Sequence, residues 1–153
     1  IIDPDTGRKK SRVLFITSKK EVQTSDSALQ KEYLGLSEYF DEVHIMLLLP
    51  RKGENKSTRL NQNTWLYTVF SPYWWWLPVK ARSEAMDSLT FSENIRPDFV
   101  VATDPFASGL SAYLIASAFA RPLQIHVKER LDKKNLERNY DQAWLRRHMA
   151  NFV

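Results

Sequence analysis

The stretch RPDFVVATDPFASGLSAYLIASAFARPLQIHVKE (Arg96–Glu129) decides the fold. RPDFVVAT (Arg96–Thr103) is a short, largely apolar run with a proline-marked start, the pattern of a buried strand. Pro105–Ala120 is long, rich in small residues and nearly apolar all round. That predicts a buried helix with proline in its first turn, where a missing N–H costs nothing. Pro122–Val127 is a second short apolar run. Strand, helix, strand in this spacing predicts a parallel crossover unit.

Upstream, the same alternation recurs. Arg12–Thr17 (RVLFIT) and Glu42–Leu49 (EVHIMLLL) are apolar runs without strict alternation, as strands covered on both faces require. Between them Leu29, Tyr33, Leu36 and Phe40 recur at helical spacing, with Ser25 as the expected N-cap. Residues 51–63 (RKGENKSTRLNQN) read as loop by composition. Thr64–Phe70 (TWLYTVF) is a third strand. A helix follows over Val79–Ile95, with Ala81, Ala85 or Met86, Leu89 and Phe91 inward. A last helix is expected from about Asn135, with Tyr140, Trp144 and Met149 or His148 on one side. The fold class is therefore α/β, a Rossmann-like parallel sheet with helices on both faces. Residues 12–153 form one domain behind a polar, poorly ordered leader, residues 1–11.

The 153 residues carry 22 basic and 18 acidic side chains, a formal charge of +4. This suits acidic partners such as phosphates or anionic lipid without specifying one, and nucleic acid is not expected. With no cysteine, disulfides, thiolate metal sites and cysteine nucleophiles are excluded. No apolar run approaches the roughly 20 residues needed to span a bilayer. The chain opens at Ile1 without a signal peptide and stops in mid-pattern at WLRRHMANFV, so it is expected to be a piece of a longer protein, cytoplasmic or peripheral at a membrane.

In an open α/β sheet, ligands sit outside the carboxyl ends of the strands. The turn after the first strand, TSKKEVQTSD, has no glycine, so neither a dinucleotide fingerprint nor a P-loop is present. It also lacks the acidic residues of a phospho-accepting receiver, and no G-x-S-x-G elbow occurs. His44, His126 and His148 lie on separate elements at no metal-ligand spacing. Asp3-Pro4-Asp5 and the pair Glu129/Glu137 imitate sugar-transferase motifs, but both lie in charged, solvated segments.

Taken in order, Asp104-Pro105 after a strand, Ser108-Gly109 in a small-residue helix and His126 after the next strand resemble the amino-terminal domain of family-four glycosyltransferases. These are retaining enzymes with a GT-B fold. RVLFIT, EYFDEVHIMLL and NYDQAWLRRHMANFV fit the same domain, so the resemblance covers about residues 12–153. It implies the acceptor-side half of an enzyme that moves a sugar from a nucleotide-sugar to a hydroxyl acceptor without a metal or other cofactor. The nucleotide-sugar is bound mainly by a second domain, so this half alone is expected to be inactive. His126 is the catalytic candidate, at the carboxyl end of a central strand. Thr103, Asp104, Ser108, Gly109, Lys19, Lys20 and Lys128 are the substrate-binding candidates. Each has a plain alternative: capping for Asp104 and Ser108, close packing for Gly109, solvated lysines, and a buried structural histidine. Lys128 and Glu129 depart from the residues that often follow the family's histidine. The rival function is a non-catalytic Rossmann-like module for partner or membrane binding.

SPYWWWLP (Ser71–Pro78) stands out beside this site. Three consecutive side chains cannot share one face of any regular element. At least one of Trp74, Trp75 and Trp76 is therefore expected to be exposed, with the other two packed. An exposed indole here would meet a membrane interface, given Lys80 and Arg82 nearby, an acceptor, or a further segment of chain.

Overall fold

A computed structural model describes residues 11–87 and 96–126. The elements run β1 (Arg12–Thr17), α1 (Ala28–Leu36), β2 (Glu42–Leu49), β3 (Lys56–Asn61), β4 (Thr64–Phe70), α2 (Leu77–Glu84), β5 (Phe99–Ala102), α3 (Ala107–Phe119) and β6 (Leu123–Ile125). The six strands form one sheet in the order β3-β4-β2-β1-β5-β6. All neighbours are parallel except β3 and β4. The protein is thus an α/β domain with a mostly parallel, Rossmann-like sheet.

Alternate residues of each strand feed two cores. Leu14, Ile16, Met46, Leu48, Tyr67, Val69, Val100 and Ala102 face one way, against Leu77, Ala81 and Ala85 around α2 and Ala112, Ile115 and Ala116 of α3. Val13, Phe15, Val43, Ile45, Leu47, Leu66 and Val101 face the other way, against Val22, Tyr33 and the rim residues Leu29, Leu36 and Phe40. Full burial on both faces is why the central strands are apolar throughout.

Several expectations are corrected. Residues 56–61 are a strand, not loop: Lys56 pairs with Thr68 and Ser57 with Tyr67 in an antiparallel ribbon. Its polar composition hid it because an edge strand exposed to water needs no apolar face, and charged residues there discourage further pairing. Asn63 ties the hairpin down, its Nδ2 donating to the carbonyls of Ser37 at 3.0 Å and Phe40 at 3.3 Å. The N-cap of α1 is Ser27, which accepts from the Gln30 N–H at 3.1 Å, and not Ser25. Phe40 lies beyond the end of α1 yet still packs on the core. Helix α2 starts two residues early, at Leu77, with Pro78 in its first turn. Helix α3 starts two residues after Pro105, and Leu110 and Tyr113 are exposed, so it is not buried all round. Leu89, Phe91, Lys128, the leader through residue 10 and the helix expected from Asn135 lie outside the described residues.

Candidate functional site

The chain leaves β1 in one lateral direction, through β2 to β4, and later returns to the other side of β1 through β5 to β6. The sheet therefore reverses between β1 and β5. In open α/β sheets the ligand crevice lies at such a switch point, outside the carboxyl ends of the two strands.

The residues leaving β1 and β5 meet across this crevice. Thr103 N–H donates to Ile16 O at 3.1 Å, holding the two strand ends together. The Ser18 hydroxyl then reaches Asp104 Oδ2 at 3.4 Å. The other Asp104 oxygen, Oδ1, accepts the Phe106 N–H at 2.9 Å. One carboxylate thus closes the turn before α3 and bridges to the β1 loop. The expected helix cap is not formed: the N-cap of α3 is Phe106, without a side-chain cap, and Asp104 closes the turn before it instead. Ser18 was not singled out from the sequence; its place beside Lys19, at the end of a buried strand, was the available signal.

Gly109 sets how closely α3 approaches this turn. A Cβ there would lie 3.0 Å from the Asp104 carbonyl oxygen and 3.8 Å from Ile125 Cδ1. A side chain would crowd the Asp104 carbonyl and require a shift of the turn, so glycine permits the close contact. Beside it the Ser108 hydroxyl is fully buried and, like the Thr103 hydroxyl, has no hydrogen-bond partner among the described residues. An unpartnered buried hydroxyl costs about 1–3 kcal/mol. Such groups concentrate where a ligand or a bound molecule supplies the partner.

The β1 loop carries the positive charge. Lys19 is extended and exposed, and Lys20 opens a single 3-10 turn over Lys20–Gln23. Val22 of that turn is fully buried, and Gln30 Nε2 donates to its carbonyl at 3.1 Å. The loop is thus plugged into the core by a side chain, which explains why it needs none of the glycines of a phosphate-wrapping turn. Its one left-handed residue is Asp26, at φ 61°. Neither lysine pairs with a carboxylate among the described residues.

His126 lies at the same edge. It follows β6, which among the described residues pairs with β5 and is the last strand of the order. Its N–H donates to Ala102 O at 2.8 Å, which places its backbone one strand away from Asp104. The residue is exposed, so it is not a buried structural histidine. Lys19, Lys20, Thr103, Asp104, Ser108, Gly109 and His126 therefore gather on the carboxyl side of β1, β5 and β6.

The tryptophans do not join them. Trp74–Trp76 form a 3-10 turn after β4, and β2 lies between β4 and β1 in the sheet. At about 4.8 Å per strand, that puts them roughly 10 Å to the side of the crevice. Trp74 turns inward onto the core that α2 covers. Trp75 is 57% exposed and Trp76 45%. The expected exposure holds, but only one indole packs instead of two, because a 3-10 turn points its three residues about 120° apart.

His44, the third histidine, belongs to the opposite edge. It is buried on β2, with Nδ1 3.0 Å from the Tyr67 hydroxyl and Nε2 3.3 Å from Glu42 Oε2. Trp65 stacks on it at 4.9 Å, and Arg59 lies over the outer face of Trp65 at 5.3 Å. Glu42 also meets Arg12 Nε at 3.0 Å. Among the described residues, no three His, Asp or Glu side chains gather to hold a metal. No described helix is long and apolar enough to cross a membrane. Compared with known proteins, the chain matches no protein-family model and no curated sequence.

Proposed function

We propose that this domain is the acceptor-side half of a retaining glycosyltransferase, which moves a sugar from a nucleotide-sugar to a hydroxyl acceptor with help from a second, donor-binding domain. The observation that carries the reading is the mixed polar crevice at the switch point. A carboxylate, Asp104, pairs with a hydroxyl, Ser18, and lies on a turn flanked by two unpartnered buried hydroxyls, Thr103 and Ser108. Lys19 and Lys20 stand at its rim. Carboxylates and hydroxyls recognise the hydroxyls of a sugar, whereas a pure phosphate would be repelled by Asp104. The lysines add attraction for an acidic or phosphorylated substrate. A cofactor is not part of the proposal, and the order of residues from Asp104 to His126 supports it independently of the crevice.

In this reading Asp104 accepts substrate hydroxyls and fixes their orientation, and His126 contacts the sugar from the β6 side. Orientation of this kind contributes through geometry, so small displacements are costly. The test is transfer of labelled sugar by the two-domain protein. Asp104→Ala and His126→Ala should each lower turnover about a hundredfold, His126→Ala without moving the melting temperature and Asp104→Ala at a cost of no more than about 1 kcal/mol. The isolated domain should show at most weak binding of nucleotide-sugars by calorimetry. Turnover by the isolated domain, or variants as active as the parent, overturns the assignment. The rival reading, a non-catalytic binding module, predicts no transfer from any donor even with the full protein.

A further inference from the structure

Exposed large hydrophobic side chains are not scattered over this domain. Of the seven among the described residues, Tyr73, Trp75, Trp76 and Val79 fall within one run of seven positions. Tyr73 stacks on Trp75 at 5.3 Å, and Trp75 meets Trp76 edge to face at 5.9 Å. The three rings are thus held by one another rather than by the core. Helical spacing then carries the surface onward. Val79 and Lys80 follow Trp75 and Trp76 by one turn, and all four are exposed.

Positive charge rims this cluster. Lys80 and Arg82 are exposed on α2. On the β2–β3 connection, the Arg51 guanidinium lies over the Phe70 ring at 5.5 Å, immediately before Ser71. The Ser71 N–H donates to Leu49 O at 3.1 Å, so the two connections leave the sheet side by side. Lys52 is exposed next to Arg51. The same segments carry Glu54, Glu84 and Asp87, of which Glu84 accepts a hydrogen bond from Asn55 at 3.0 Å. The excess is positive.

We propose that this rim docks the domain on an anionic bilayer surface. Tyr73, Trp75 and Trp76 enter the boundary between headgroups and acyl chains, and Arg51, Lys52, Lys80 and Arg82 meet lipid phosphates. Indole and phenol rings favour that boundary because they are apolar bodies with a polar edge. A sugar-stacking platform fits less well. Trp75 and Trp76 are inclined at 76°, which makes a wedge and not one flat face. The proposal does not depend on glycosyl transfer.

The test is co-sedimentation of the chain with phosphatidylcholine vesicles, with and without phosphatidylglycerol. The chain should pellet with the anionic vesicles, and salt should weaken the binding. Brominated lipid should quench its fluorescence. The double variant Trp75→Ser/Trp76→Ser should lose at least about tenfold in partitioning. Lys80→Ser/Arg82→Ser should lose about thirtyfold, at roughly fivefold per cation. All four positions are exposed, so urea midpoints should stay with the parent. Absence of pelleting, or pelleting that both double variants retain, overturns the proposal. So does a dimer in sedimentation velocity that Trp75→Ser/Trp76→Ser converts to monomer, since a second copy would then cover the rim.

Discussion

The two edges of this sheet use similar residue types in opposite ways. At the amino edge, polar side chains are turned on one another. The Arg12 N–H is held by Asp98 Oδ2 at 2.9 Å and the Ser11 N–H by Asp41 Oδ2 at 2.6 Å. Glu42 sits between Arg12 and His44, and His44 reaches on to Tyr67. Three buried atoms there are exceptions: Thr64 Oγ1, Arg121 Nε and Arg12 Nε have no hydrogen-bond partner among the described residues, although Arg12 Nε lies within ion-pair distance of Glu42. At the carboxyl edge, among the described residues, Lys19 and Lys20 have no carboxylate and the Thr103 and Ser108 hydroxyls have no partner, and His126 is exposed. Paired groups hold strands in register, whereas open groups remain available to a ligand. On this contrast we propose that function resides at the carboxyl edge and that the amino edge contributes to stability.

That division can be broken by mutation. The largest effect on stability is expected at the amino edge. His44→Ala removes a stacked, fully buried ring together with its bonds to the Tyr67 hydroxyl and Glu42. It should destabilise the domain by about 3 kcal/mol or more in urea unfolding. Activity of the folded protein should be unchanged. A loss below about 1 kcal/mol would mean that the network is not structural.

A middle effect belongs to Tyr33, which lies under the β1 end and packs edge-on against Phe15 at 5.2 Å. Burial pushes its phenol up from 10.0 to about 12, opposed by a hydrogen bond with Thr17. The folded state thus holds the proton more tightly than the unfolded chain. The associated stability is complete below pH 10 and is lost as pH rises through 12. At about 1.4 kcal/mol per unit, the loss approaches 3 kcal/mol. Tyr33→Phe should flatten this part of the alkaline stability curve relative to the parent. Parallel curves for the two proteins would refute the shift.

The smallest stability effect is expected at the carboxyl edge. Asp104→Ala gives up the bond to the Phe106 N–H and the longer one to Ser18. It should cost no more than about 1 kcal/mol. The same variant is expected to abolish most sugar transfer. If it unfolds the domain, Asp104 is a structural cap and the contrast between the edges fails at its central residue.

Much of the architecture was legible in the chain. RVLFIT, EVHIMLLL and TWLYTVF appear in the structure with the same boundaries, because a strand covered on both faces is a nearly continuous apolar run. β3 was hidden because KSTRLN is exposed on the sheet's edge and its pairing is carried by backbone groups that composition does not report. Ser25 is the expected N-cap, but Ser27 caps the helix: its hydroxyl accepts the Gln30 N–H and donates to the Glu21 carbonyl, a contact set by how the β1 loop packs.

The candidate site divides along the same line. Its residue types, the strand ends that carry them and the absence of a glycine-rich turn are properties of the sequence. They follow from local rules about short apolar runs, turns and backbone freedom. Which strands are neighbours is not local. The order β3-β4-β2-β1-β5-β6 brings Ser18 to Asp104 across 86 positions of chain and moves His126 to the outermost described strand. It also sets the tryptophans two strands from the crevice. Strand order is chosen by how two cores fill on opposite faces of one sheet. That is a property of the packed whole, and no stretch of sequence carries it alone.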